Sequence, residues 1–155
     1  MLAIPSKQDT IHIATKPMTE EFIIGEMLKQ LIEDRTDLQV EITKGVGGGT
    51  SNIHPAIVKG DFDMYPEYTG TSWSFVLKKK EIPQHDILYK ELVKEYKENY
   101  NLEWTGLYGF NNTYGIAVTK ETAQRYHLKT YADLASVSSR LSFGAEYDYY
   151  ERDDG

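Results

Sequence analysis

Cysteine is absent from this 155-residue chain, which excludes disulfides, thiol nucleophiles and zinc-thiolate sites at once. That absence says nothing about compartment. Long apolar runs are missing too, so no stretch approaches the roughly 20 residues that a membrane-spanning helix needs. The opening Met1-Leu2-Ala3-Ile4-Pro5-Ser6 has neither the basic stretch nor the apolar core of an export signal. If the native protein is exported, its signal or a membrane segment must lie outside the sequence read here. Positive charge is scarce: 17 Lys and Arg stand against 24 Asp and Glu, for a net charge of -7 and a pI near 5.1. Such a balance favours solubility and opposes binding to nucleic acid or to an anionic membrane.

Recognisable catalytic and metal-binding patterns are missing as well. His12, His54, His85 and His127 are scattered without ligand spacing. The carboxylates between Glu146 and Asp154 do not follow the ligand order of a calcium loop. Gly45-Val46-Gly47-Gly48-Gly49-Thr50 could cradle a phosphate at a helix start, but the lysine of a P-loop does not follow the last glycine. A structural turn is the simpler reading. No catalytic residue, metal ligand or cofactor is therefore assigned.

What the chain does have is a composition that can bury a core, 40% hydrophobic and 26% charged, and a regular alternation of patterns. Ile11 to Ala14 reads as a strand, and Thr19 then caps a helix whose first turn carries Glu20 and Glu21, where the helix dipole favours negative charge. Phe22, Ile23, Met27 and Leu31, with Ile24, Leu28 and Ile32, recur at helical spacing, which predicts an apolar stripe facing a sheet. Leu38 to Ile42 alternates as a second strand. A glycine-rich turn leads to a helix around Ser51 to Lys59, and Asp61 to Tyr65 returns as a third strand. Asp86 to Tyr100 is predicted as an amphipathic helix with Leu88, Leu92 and Tyr96 on one side. Leu102 to Leu107 then reads as a strand. Beyond Phe110-Asn111-Asn112, a hinge or crossing, the sequence predicts a strand over 114–118, a helix near Glu121 to Tyr126, a helix capped by Thr130, and a strand over 141–143. Strands separated by helices imply a largely parallel α/β sheet, with ligands gathering beyond the carboxyl ends of the strands.

Three segments converge on those ends: Asp63-Met64-Tyr65-Pro66-Glu67-Tyr68-Thr69-Gly70-Thr71, Asn111-Asn112-Thr113-Tyr114, and Glu151-Arg152-Asp153-Asp154-Gly155. Tyr68 and Tyr114 can offer π faces to a cation, Thr71 a hydroxyl, and Arg152 a planar fork of donors for a carboxylate. A betaine needs both kinds of contact. Lys16, which follows the first strand, is a further candidate. Each also has a plainer reading. Lys16 could be a solvated loop lysine, Arg152 could pair with Glu151, Asp153 or Asp154, Thr71 could cap the helix near Ser72, and tyrosines such as Tyr65, Tyr96, Tyr108 and Tyr126 commonly pack half-buried with a wet hydroxyl.

The run from Ile11 to Glu21, Gly48-Gly49-Thr50-Ser51, Asp63 to Thr71 with Trp73, and Phe143-Gly144-Ala145 through Gly155 resemble the substrate-binding proteins of glycine betaine/carnitine/choline ABC importers, over nearly the whole chain. The resemblance implies a bilobal, type II periplasmic-binding-protein-like α/β fold. It assigns residues 1–8 to a linker, 9–110 to a complete or near-complete first lobe, and 111–155 to the hinge and the first part of an incomplete second lobe. It casts Tyr68 and Tyr114 as cage walls for a quaternary ammonium with Thr71 beside them, and Arg152 and Lys16 as carboxylate partners. It implies an extracytoplasmic, membrane-attached receptor for osmoprotectants, working with an ABC permease, separate or fused, and its ATPase. An incomplete second lobe would expose apolar surface and sheet edge, which predicts disorder after about Thr113 or pairing between copies. Three competing readings stay open: a different solute on the same scaffold, an enzyme of bilobal ancestry, and a fragment that binds nothing.

Overall fold

The computed structural model describes residues 10–113 and 115–145. Strand β1, Thr10–Ala14, is the centre of the first unit, which reaches to Gly106. β1 pairs in parallel with β2, Gln39–Thr43, in a register that sets Ile11 beside Val40 and Ile13 beside Ile42. On its other side the chain returns at Met64, where Ile13 and Met64 form a parallel bridge. Ala14 N–H donates to the Met64 carbonyl at 3.1 Å, and Asp63 N–H donates to the His12 carbonyl at 2.9 Å. The predicted third strand is thus a short parallel contact. Its start is fixed by the Asp63 carboxylate, which accepts from the His12 backbone N–H at 2.7 Å.

Helix α1, Thr19–Arg35, connects β1 to β2, the crossover length that parallel pairing requires. It begins one residue earlier than a Thr19 cap implies: Met18 is the N-cap, with no side-chain capping bond. Its apolar residues form two adjacent stripes, and only one is buried. Ile24 and Gly25 are buried, with Leu28 and Ile32 partly so, whereas Ile23, Met27 and Leu31 are exposed. Spacing of i, i+4 and i+8 describes both stripes equally well, so periodicity alone could not choose between them. Gly25 makes the choice. A Cβ there would stand 2.8 Å from the Thr15 Cγ2, so the side chain of Thr15 packs against the helix where Gly25 leaves room for it, and the covered face includes Gly25.

After β2, the chain turns through glycine into α2, Thr50–Lys59. Gly48 and Gly49 adopt positive φ, 76° and 50°, a region that side chains disfavour. The following elements are a short turn α3, Thr69–Thr71, running into a π-helical turn, Ser72–Val76, and then α4, His85–Tyr100. Leu88, Leu92 and Tyr96 line the buried side of α4, as the sequence predicts, and pack with Trp73 into a core that Val76, Leu77, Tyr100, Leu102 and Trp104 close over. Tyr96 is 3% exposed, which corrects its reading as a half-buried surface tyrosine. The segment expected as a strand over 102–107 forms no strand; its Leu102 and Trp104 pack over this core, with Leu102 N–H bonded to the Tyr96 carbonyl at the helix end.

The second unit, from Leu107, contains α5, Lys120–Arg125, and α6, Tyr131–Val137, followed by a 3-10 turn, Ser138–Arg140. Thr119 caps α5, and Thr130 caps α6 in a reciprocal box with Asp133. These bonds to Lys129 and Thr130 hold the Asp133 carboxyl below its ordinary range. Of the strands expected over 114–118 and 141–143, residues 115–118 and 141–143 carry no ladder pairing among the described residues. A strand is defined by a partner edge, and none for these segments lies among the described residues. Ile116, Val118, Tyr131 and Phe143 are exposed, and an open groove of about 300 Å³ lies between Ile116, Val118, Leu128 and Leu134.

Both tryptophans of the chain, Trp73 and Trp104, belong to the α4 core. Leu92→Ala is expected to cost about 2–5 kcal/mol by leaving a cavity among them. Urea unfolding followed by tryptophan fluorescence should show a lower midpoint with an unchanged slope.

Candidate functional site

Three chain segments leave the carboxyl ends of the parallel strands, and their side chains meet. Lys16 follows β1, Thr50 opens α2 after β2, and Glu67 and Tyr68 follow the Met64 bridge. The Lys16 ammonium forms a salt bridge with the Glu67 carboxylate, with both side chains almost fully buried, at 7% and 4% exposure. The Glu67 carboxylate is held from two further directions. Its Oε1 accepts from the Tyr68 backbone N–H at 2.7 Å, and its Oε2 accepts from the Thr50 hydroxyl at 2.7 Å. A charge pair removed from water is tolerated only with such additional hydrogen bonds.

The Lys16 ammonium also lies over the Tyr68 ring, 4.6 Å from its centroid, the geometry of a cation–π contact. Tyr68 is anchored at its far end by a hydroxyl that donates to Glu20. Burial and that carboxylate push the Tyr68 hydroxyl well above the usual phenol range, so the ring stays neutral. Thr71 lies three residues on, at the end of α3, and its hydroxyl makes no capping bond to the turn that begins at Ser72.

Glu21 is the residue that sequence reasoning treated as helix-dipole decoration, yet it is fully buried. One of its carboxyl oxygens accepts weakly from the Lys16 backbone N–H at 3.5 Å, and the other, Oε1, has no hydrogen-bond partner among the described residues. Burial raises its pKa to about 7, against the opposing pull of the Lys16 charge and with smaller upward contributions from Glu67 and Glu20. Glu67 was likewise read only as part of a motif string. Its single signal was its place within that string, beside Tyr68.

A second layer supports the loop from below. The His54 ring, on α2, is within 3.3 Å of the Tyr65 hydroxyl and stacks edge-on to Tyr96 and Tyr100. Burial lowers the His54 pKa, opposed by the Glu67 charge, which favours a neutral ring. Among the described residues no group of His, Asp and Glu could hold a metal ion.

Of the five residues singled out from sequence, Lys16 and Tyr68 are brought into contact, and Thr71 belongs to the same loop. The carboxylate that Lys16 meets is the chain's own Glu67. Tyr114 and Arg152 lie outside the described residues.

The family described as the substrate binding domain of ABC-type glycine betaine transport systems matches residues 9–155. The chain is 47% identical over 148 residues to an ergothioneine transport permease/ergothioneine binding protein of Helicobacter pylori (strain G27), covering 96% of the chain and 26% of that relative. It is 35% identical over 149 residues to a carnitine transport binding protein of Listeria monocytogenes serotype 1/2a (strain 10403S), covering 96% of the chain and 48% of that relative. A crystal structure titled glycine betaine/carnitine/choline ABC transporter superposes with a TM-score of 0.67 at 30% identity, over 87% of this chain and 50% of the other. The chain thus spans half or less of the length of these relatives.

The Glu21 carboxyl gives a pH signature. Because its value in the folded state lies above the ordinary 4.5, the folded protein binds this proton more tightly than the unfolded chain does. The associated stability is fully present below about pH 4.5 and is lost as pH rises through about 7. Between pH 5 and 8 this contribution to the urea midpoint falls with pH, against a rising one from the lowered His54 pKa, and Glu21→Gln should shift the slope of midpoint against pH in the positive direction. An unchanged slope in the variant would refute the assignment.

Proposed function

We propose, from the premise that the chain belongs to the family of substrate-binding domains of ABC-type glycine betaine transport systems, that it captures zwitterions carrying a trimethylammonium group and a carboxylate. Its fold is the α/β, type II periplasmic-binding-protein-like class of its solved relative. The observation that carries the reading is the buried Lys16 ammonium on the face of Tyr68. One ring there already accepts a cation, and beside it stands an ammonium able to receive a carboxylate.

The chemistry follows from the solute. A trimethylammonium has no N–H donors, so hydrogen bonds cannot hold it, whereas aromatic faces can, at about 0.5–2 kcal/mol per contact. A ring has two such faces, and Lys16 occupies one. Tyr68 and Tyr114 would form cage walls with Thr71 beside them, and Lys16 with Arg152 would take the carboxylate. Glycine betaine, carnitine and ergothioneine all carry this pair of groups, while choline lacks the carboxylate. The relative at 47% identity is named for ergothioneine and the one at 35% for carnitine, so ergothioneine comes first in any titration.

In this reading the protein is a binder and not an enzyme. It works outside the cytoplasmic membrane, attached to it, and delivers solute to a permease and its ATPase after the two lobes close on the ligand. No helix among the described residues is long and apolar enough to cross a membrane.

Calorimetric titration of ergothioneine, carnitine, glycine betaine and choline into the protein as its gene encodes it tests the proposal. At least one zwitterion should bind more tightly than choline and be recovered chemically unchanged by NMR. Tyr68→Ala should weaken that binding roughly 2- to 30-fold, and Tyr68→Phe should retain most of it. Heat from none of the four solutes would remove the ligand class.

A further inference from the structure

Lys16 is held in place before any solute arrives. Its stem runs beside Gly49, where a Cβ would stand 3.7 Å from the Lys16 Cγ, and its ammonium rests on the Tyr68 ring. The ammonium has three N–H donors, and Glu67 is the acceptor that takes one of them among the described residues. Glu67 cannot follow a wandering lysine, because Thr50 and the Tyr68 backbone fix both of its oxygens. Its carboxylate therefore ties the end of β1, the start of α2 and the loop after Met64 to one point.

We infer that Glu67 is the positioning residue of the ligand-carboxylate site: it anchors the Lys16 ammonium through one donor and leaves the remaining two aimed at the carboxylate of an incoming zwitterion. The inference rests on the solute reading above and adds to it a residue that would not touch the ligand. Its physical content is preorganisation. A free lysine loses rotamer freedom when it binds a carboxylate, whereas one already braced has lost it on folding. The other carboxyls nearby cannot substitute. Glu20 is engaged by the Tyr68 hydroxyl, and Glu21 reaches the Lys16 backbone and not its ammonium.

A double-mutant cycle on Lys16 and Glu67 tests this, read by calorimetry with glycine betaine, carnitine and ergothioneine on the protein as its gene encodes it. Glu67→Gln keeps the size and an acceptor for Thr50 but loses the charge. It should weaken binding of the best-bound zwitterion on the order of tenfold in the wild-type background, and by less than about twofold when Lys16→Met is already present. Equal losses in both backgrounds would mean that Glu67 supports the fold only, and tighter binding in Glu67→Gln would mean that it competes with the ligand; either overturns the inference. If Glu67→Gln does not fold, Thr50→Val removes one brace and leaves the charge, and should weaken binding roughly threefold, again only when Lys16 is present. Wild-type protein that binds none of the three solutes overturns the solute reading together with this one. Weakened binding in Lys16→Met but not in Glu67→Gln overturns the positioning role alone.

Discussion

The site depends on one buried ion pair. Lys16 and Glu67 come from segments 51 positions apart, and burying either charge alone would be prohibitive. Their pairing makes the convergence of three loops obligatory, because only there do the Thr50 hydroxyl and the Tyr68 N–H complete the carboxylate's bonds. The parallel arrangement of β1, β2 and the Met64 bridge supplies the geometry: all three exit at one edge, and each exit contributes one member of the network. The positive φ of Gly48 and Gly49 turns the second exit into α2, and Gly49 lies alongside the lysine stem.

Much of the first unit was legible because its determinants are local. Alternation identified β1 and β2, and the spacing of Leu88, Leu92 and Tyr96 identified the buried side of α4. The capping of α6 by Thr130 was readable from its side chain and surroundings. What failed was whatever depended on a partner. Residues 102–107, 115–118 and 141–143 have strand-like composition, but composition does not supply the neighbouring edge that would pair with them. On α1, two equivalent apolar stripes competed, and the decision came from the close approach at Gly25, a tertiary fact.

The site was legible in outline only. Tyr68, Thr71 and Lys16 stood out for chemistry they could offer a ligand. Glu67 and Glu21 did not, because a carboxylate in a sequence gives no sign of its burial. Glu21 shows the difference most clearly: its place in the first helical turn suits the dipole, but full burial beside Lys16 makes its protonation state part of the site's electrostatics.

Around the single Lys16 ammonium stand three carboxyl groups, those of Glu20, Glu21 and Glu67, within a chain whose net charge is -7. A zwitterion has no net charge to be attracted, but it has a large dipole, and a field of this sign exerts a torque on it. On the solute reading proposed above, a zwitterion would be turned with its ammonium leading while still separated from the protein by water, within the roughly 8–10 Å over which salt leaves such fields largely unscreened. Orientation would then precede contact, and the lysine, masked at long range by its acidic neighbours, would be felt by the trailing carboxylate only at close quarters.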